Sequence, residues 1–246
     1  MPRRAPERRS GAVISVAQIL LRPLARLLAR RTWLGTENLP PRGAVIACGN
    51  HSGPFDAIAY GHLLQASGAA PRFLAKESLF RVPVLGGLLR ASGQIPVARG
   101  TARTARALDA AERALQRGEL IMVFPEGTYT RDPHGWPMRP RLGAARLALR
   151  TGAPLLPIAC WGSAALWPVG AVLPTPIPRA QLTLRVGSPI VPARREGETE
   201  TQAAARLMAA VMGAITEMLA EIRGETPPSA VHDPRQDSHR PEEGWA

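Results

Sequence analysis

Short apolar runs alternate along this chain with longer stretches in which apolar or alanine positions recur every three to four residues. The short runs read as buried strands and the periodic stretches as helices. The pattern predicts strands at 44–48, 72–75, 94–97, 120–124, 155–159 and 182–186. Helices are expected at 56–65, 84–90, 101–117, 142–150 and 199–222, with Gly118 closing the third of them. Strands that alternate with helices are joined by crossovers, so the pattern implies an α/β fold. The expected architecture is a single domain with a mostly parallel central sheet flanked by helices. The stretch 161–179 is rich in proline and apolar residues without periodicity, and reads as a loop suited to an acyl or membrane-facing surface.

The first strand runs directly into His51-Ser-Gly-Pro-Phe-Asp56. Histidine titrates near neutrality, and a nearby carboxylate can fix its tautomer and stabilise its charged form, as a general base requires. In one continuous helix, residues five apart would point roughly 140° away from each other. Gly53 and Pro54 break the chain, so His51 can lie in a loop at the strand end and Asp56 in the first turn of the next helix. The spacing alone is weak, because His232 and Asp237 repeat it in a C-terminal stretch rich in proline and charge. That second pair reads as solvated tail. His62 and His134 have no partner pattern and receive no role.

Composition adds direction. The formal net charge is +12, and it is unevenly spread. Residues 224–246 carry two Arg against five acids, net −3, which leaves +15 on the remainder. Residues 1–32 hold eight Arg and one Glu. Such a balance suits nucleic acid or an anionic membrane surface. With four Phe, two Tyr and five Trp, and no interleaving of basic and aromatic residues to stack bases, no nucleic-acid partner is expected. The apolar run 12–21 is about half of a bilayer span. It is followed by Pro23 and by Arg22, Arg26 and Arg30 on one helical face. This segment reads as an N-terminal amphipathic interfacial helix rather than a signal peptide. The division expected is a basic amphipathic membrane-associating segment at 1–32, the folded domain at 33–223 and a disordered acidic tail at 224–246. Cys48 and Cys160 sit in apolar surroundings without metal-ligand spacing and read as core thiols of a reducing compartment. Gly-x-Ser-x-Gly, the phosphate-binding loop Gly-x-x-x-x-Gly-Lys-Ser/Thr and Gly-x-Gly-x-x-Gly are all missing from the sequence.

Three further blocks follow His51 and Asp56 in order: Gly93-Gln-Ile-Pro-Val-Ala-Arg99, Ile121-Met-Val-Phe-Pro-Glu126-Gly127-Thr128 and Gly152-Ala-Pro-Leu-Leu-Pro157. Together the ordered set resembles the four motifs of the glycerophospholipid acyltransferase family, the lysophosphatidate acyltransferase-like enzymes. The resemblance runs from about Leu34 to about Pro189 and takes in 73–80 and 141–148. One departure stands out. The family's third motif usually continues Glu-Gly-Thr-Arg-Ser, whereas here Thr128 is followed by Tyr129-Thr130-Arg131, so the arginine arrives two residues late.

The resemblance implies transfer of a fatty acyl group from an acyl thioester, acyl-CoA or acyl-carrier protein, to the hydroxyl of lysophosphatidate. No cofactor and no metal are implied. His51 would be the general base and Asp56 its orienting carboxylate. Lys76, the only lysine of the chain, and Arg99 would hold the acceptor phosphate, with the late Arg131 either reaching it differently or belonging to the surface. Glu126, Gly127 and Thr128 would position the glycerol. The implied setting is the cytoplasmic face of a membrane, peripherally bound. Two alternatives stay open: another acceptor, glycerol 3-phosphate or a lysophospholipid, or a peripheral lipid-binding protein of the same fold that does no chemistry.

Overall fold

In a computed structural model, residues 29–40, 43–66, 68–98, 101–175 and 180–234 are described. Seven strands form one sheet: β1 (Ala29–Leu34), β2 (Val45–Gly49), β3 (Pro71–Lys76), β4 (Ile95–Val97), β5 (Leu120–Val123), β6 (Leu155–Trp161) and β7 (Ala180–Val186). Their spatial order is β1-β7-β6-β2-β5-β3-β4. The helices are α1 (Asp56–Ala66), α2 (Leu85–Ala91), α3 (Thr101–Gln116), α4 (Gly143–Thr151), α5 (Ser163–Leu166) and α6 (Glu200–Arg223). The sheet is mostly parallel, as the alternation of elements implied, with one reversal: β7 runs antiparallel to β6, and β1 then pairs parallel to β7.

The central strands are covered on both faces, which is why they read as continuous apolar runs. Ile46 and Cys48 of β2 join the core beneath α3, α4 and α6, while the alternating Val45 and Ala47 join the core beneath α1 and α5. β5 divides in the same way, Ile121 to one side and Leu120 and Met122 to the other. By length and composition α6 is apolar enough to cross a bilayer, but nine of its side chains are buried, from Ala203 to Leu219 at helical spacing. Thr199 and Gln202 close its first turn in a reciprocal capping box, and Gly224 ends it at φ 65°.

Three expectations shift. Residues 29–32 belong to edge strand β1 rather than to an amphipathic segment, and 1–28 lie outside the described residues. Charged Arg30 and Arg31 hide the strand from a pattern search, because an edge strand needs only one paired side. The loop expected at 161–179 contains the single turn α5. Finally, the acidic tail packs back as far as 234: the His232 carbonyl accepts from Arg139 N at 2.9 Å, and Asp233 pairs with Arg139 at 3.0 Å. A 93-residue sequence separation between 139 and 232 hides that contact from composition.

Candidate active site

β2, β3, β4 and β5 are parallel, so their C-terminal ends meet at one edge of the sheet. Cys48 pairs with Val123, which puts His51 and Glu126, each three residues further on, at the same level. Phe73 pairs with Met122, so Lys76 at the end of β3 reaches the same edge. Crevices beyond the carboxyl ends of such strands are where α/β folds bind ligands.

His51 Nδ1 lies 2.9 Å from Asp56 Oδ2. A carboxylate only accepts, so Nδ1 carries the proton of that bond and Nε2 is the basic nitrogen. Asp56 is fully buried in the first turn of α1, and the same Oδ2 accepts from Ser52 N at 2.6 Å and Gly53 N at 2.9 Å. Three N–H groups and the helix N-terminus therefore hold one charged oxygen in place. The imidazole stacks on Phe124, with centroids 3.8 Å apart and planes 7° from parallel, and Tyr129 closes on it at 4.3 Å. The ring is fixed on its faces and at Nδ1.

The loop before His51 is fixed from behind. Asn50 extends the β2–β6 ladder with its side chain, donating to the Cys160 carbonyl at 2.9 Å and accepting Cys160 N at 2.8 Å. The Tyr60 hydroxyl sits within 3.2 Å of Asn50 O, Asn50 Oδ1 and Ile158 O. Gly49 makes room for this ring, since a side-chain carbon there would lie 2.5 Å from Tyr60 Cζ. Burial, with the nearby Cys160, Asp56 and Glu126, pushes the Tyr60 phenol well up, so it stays a neutral donor.

Glu126 is buried, and both its oxygens are engaged by backbone: Oε1 accepts His51 N at 3.1 Å and Oε2 accepts Met138 N at 3.0 Å. Burial pushes its pKa up to about 8 against those two donors, helped by Asp56 and Asp132. Glu126 is thus a strut between the His51 loop and the segment 130–139, rather than a group turned to solvent. The Thr130 N–H donates to the His51 carbonyl, a second tie across the same gap. Gly127, at φ 75°, is exposed, and half-buried Thr128 follows it.

The remaining cations separate. Lys76 is exposed at the rim, Arg99 lies outside the described residues, and the Arg131 side chain is exposed while its N–H meets Met138 Sδ. Sequence reasoning overlooked Arg141. A side-chain carbon on Gly127 would lie 2.7 Å from Arg141 Nε, so this guanidinium occupies the space that the glycine leaves. Its block before α4 was visible in the sequence, but nothing there tied it to Gly127. Also unforeseen is Arg223, buried between Trp136 at 3.9 Å and Trp161 at 4.2 Å, which clamps segment 130–139 to the end of α6. Among the described residues, no three His, Cys, Asp or Glu side chains gather as metal ligands would.

The sequence profile of the family named Acyltransferase matches residues 30–161. BAT2, a chloroplastic 1-acyl-sn-glycerol-3-phosphate acyltransferase of Brassica napus, is 29% identical over 141 residues, 56% of this chain and 39% of that protein. The 1-acyl-sn-glycerol-3-phosphate acyltransferase of Borreliella burgdorferi is 34% identical over 132 residues, 52% of this chain and 50% of that protein. The chain therefore spans between 39% and 50% of the length of these relatives. In fold it is similar to the 1-acyl-sn-glycerophosphate acyltransferase PlsC of Thermotoga maritima, with a TM-score of 0.67. The identity is 24%, covering 84% of this chain and 80% of that one.

Proposed function

We propose a reaction from one premise: the chain belongs to the Acyltransferase family. It moves a fatty acyl group from an acyl thioester, acyl-CoA or acyl-carrier protein, to the free hydroxyl of lysophosphatidate. The observation that carries this reading is the His51–Asp56 pair, 2.9 Å apart at the carboxyl edge of a parallel sheet, with Nε2 left to take a proton.

His51 Nε2 accepts the acceptor's hydroxyl proton as the oxygen attacks the thioester carbonyl, a contribution of roughly 10²–10⁴-fold. The tetrahedral intermediate expels the thiolate, which takes the proton back from the imidazolium. A thioester is already activated, so no acyl-enzyme forms. Asp56 holds the productive tautomer and stabilises the imidazolium. Lys76 and Arg99 hold the acceptor phosphate, and Arg141, against Gly127, takes the part that a late Arg131 leaves open. Gly127 and Thr128 border the glycerol, while Glu126 acts through the His51 backbone as a positioning residue. The protein works peripherally at the cytoplasmic face of the membrane that supplies the acceptor, and needs no cofactor beyond the acyl donor.

Incubation of the purified chain with labelled acyl-CoA and, in parallel, lysophosphatidate, glycerol 3-phosphate and a neutral lysophospholipid tests this. Labelled phosphatidate from the first acceptor, lost in His51→Ala, is the expected result. Product with another acceptor would replace the substrate, and a His51→Ala variant that keeps more than about a tenth of the rate would refute the base.

A further inference from the structure

Eleven large apolar side chains are exposed among the described residues, and they are not scattered. Five fall within ten residues, at Leu79, Val82, Val84, Leu85 and Leu88, and three more at Val169, Val172 and Leu173. The first group follows Lys76 at the end of β3, and the second follows α5 at the end of β6. Those strands lie on opposite sides of β2, and all three end at the same sheet edge. Two apolar tips therefore flank the edge that carries His51.

The first tip is built rather than frayed. Phe80 is buried beneath it, and its carbonyl accepts Arg90 Nη1 at 2.5 Å. Gly86 presses on the same carbonyl, 2.1 Å from where a side-chain carbon would stand. At the apex Val84 is held at φ 65°, ψ −58°, with Leu85 N donating to the Pro83 carbonyl at 2.7 Å, a three-residue turn that β-branched residues avoid. That conformation leaves Val84 81% exposed. A strained backbone that drives an apolar side chain into water is unfavourable in a protein surrounded by water alone. Charge completes the pattern: across 76–90 stand Lys76, Arg81 and Arg90 against the single acid Glu77, and Arg81, although 3.8 Å from Glu77, keeps its side chain 76% exposed.

We infer that segment 79–88, with the 169–173 loop on the other side of the His51 edge, is a membrane-docking surface that inserts into an anionic phospholipid bilayer and brings the sheet edge of His51 down onto the lipid headgroups. Apolar tips among cations bind such a surface by burying hydrocarbon at the headgroup boundary while arginine and lysine face the lipid phosphates. The inference rests on the acyl-transfer reading only for the reason the partner is a lipid.

Flotation of the full chain with phosphatidylcholine vesicles, and with equimolar phosphatidylcholine and phosphatidylglycerol vesicles, tests it. The double variant Val84→Asp/Leu88→Asp should bind anionic vesicles about tenfold more weakly or worse. It should turn over a short-chain, water-soluble lysophosphatidate at the wild-type rate. Val84→Gly, which relieves the turn, should bind less while melting no lower than wild type. Leu88→Trp should shift its emission to the blue on anionic vesicles. Wild-type protein that ignores vesicles, a double variant that binds as well as wild type, or a Leu88→Trp spectrum indifferent to lipid would each overturn the surface. Unchanged binding would pass the role to the basic N-terminal stretch. Absence of turnover from both proteins would refute acyl transfer, and the binding results would still decide the surface.

Discussion

Replacing Asp56 by asparagine isolates charge from geometry. Asn normally threatens a His–Asp pair because its amide can rotate and present N–H to the imidazole. Here three donors converge on Oδ2, from His51, Ser52 and Gly53, so the amide oxygen is held in that place. The NH₂ then falls at the position of Oδ1, a buried oxygen without a hydrogen-bond partner. The neighbouring Cys160 thiol, its acidity suppressed by burial and by Asp56, is a weak acceptor there. The tautomer survives and only the negative charge is lost. At an effective dielectric of about 20, unit charges at the 2.9 Å separation interact by roughly 6 kcal/mol, and the amide dipole returns part of it. A net loss of about 3–4 kcal/mol lowers kcat roughly 10²–10³-fold. Thiol release from acyl-CoA with lysophosphatidate measures the rate, and thermal unfolding measures the fold. Asp56→Asn should melt within a few degrees of wild type, whereas Asp56→Ala, which leaves three N–H groups, one of them buried, without their acceptor, should melt well below it. A variant that keeps more than about a tenth of kcat, or loses it only in proportion to the unfolded fraction, would refute the electrostatic role.

Other expectations follow from the same geometry. Gly49→Ala should destabilise the protein by about 1–3 kcal/mol in urea titration, because the new methyl meets the Tyr60 ring at 2.5 Å. With its proton affinity raised from 4.5 to about 8, native Glu126 keeps a proton that the unfolded chain releases, so this group lowers stability as pH rises through that window. The stability of Glu126→Gln relative to wild type should therefore climb between pH 5 and 8, by up to about 4 kcal/mol, and level off above; a flat difference would show that Glu126 is ionised throughout. Lys76→Ala, Arg99→Ala and Arg141→Ala should raise the acceptor KM more than the donor KM, while exposed Arg131→Ala should change neither much. Equal effects on both substrates would remove a residue from the phosphate site.

The local order of strands and helices was legible because burial on both faces of a parallel sheet makes short apolar runs, and helix packing imposes its own period. The placement of His51 after a strand and Asp56 in a first helical turn was legible for the same local reason: Gly53-Pro54 allows little else. Glu126 was visible as a residue but not in its contacts. Its two partners, 75 residues before it and 12 after it, are brought together by strand register, which no spacing encodes. Arg141 against Gly127, and Arg223 between Trp136 and Trp161, depend on loops whose ends are set by separate elements. Edge strand β1 carries no apolar signature, because its partner β7 covers one edge of its backbone, Arg30 faces water and half-buried Arg31 reaches across to the His62 ring at 3.0 Å. What the sequence determined is what neighbours along the chain can impose: periodicity, breaks and the types of reactive group. What the tertiary structure decided is which distant groups share an edge, because pairing energies between strands act through space and leave no period in the chain.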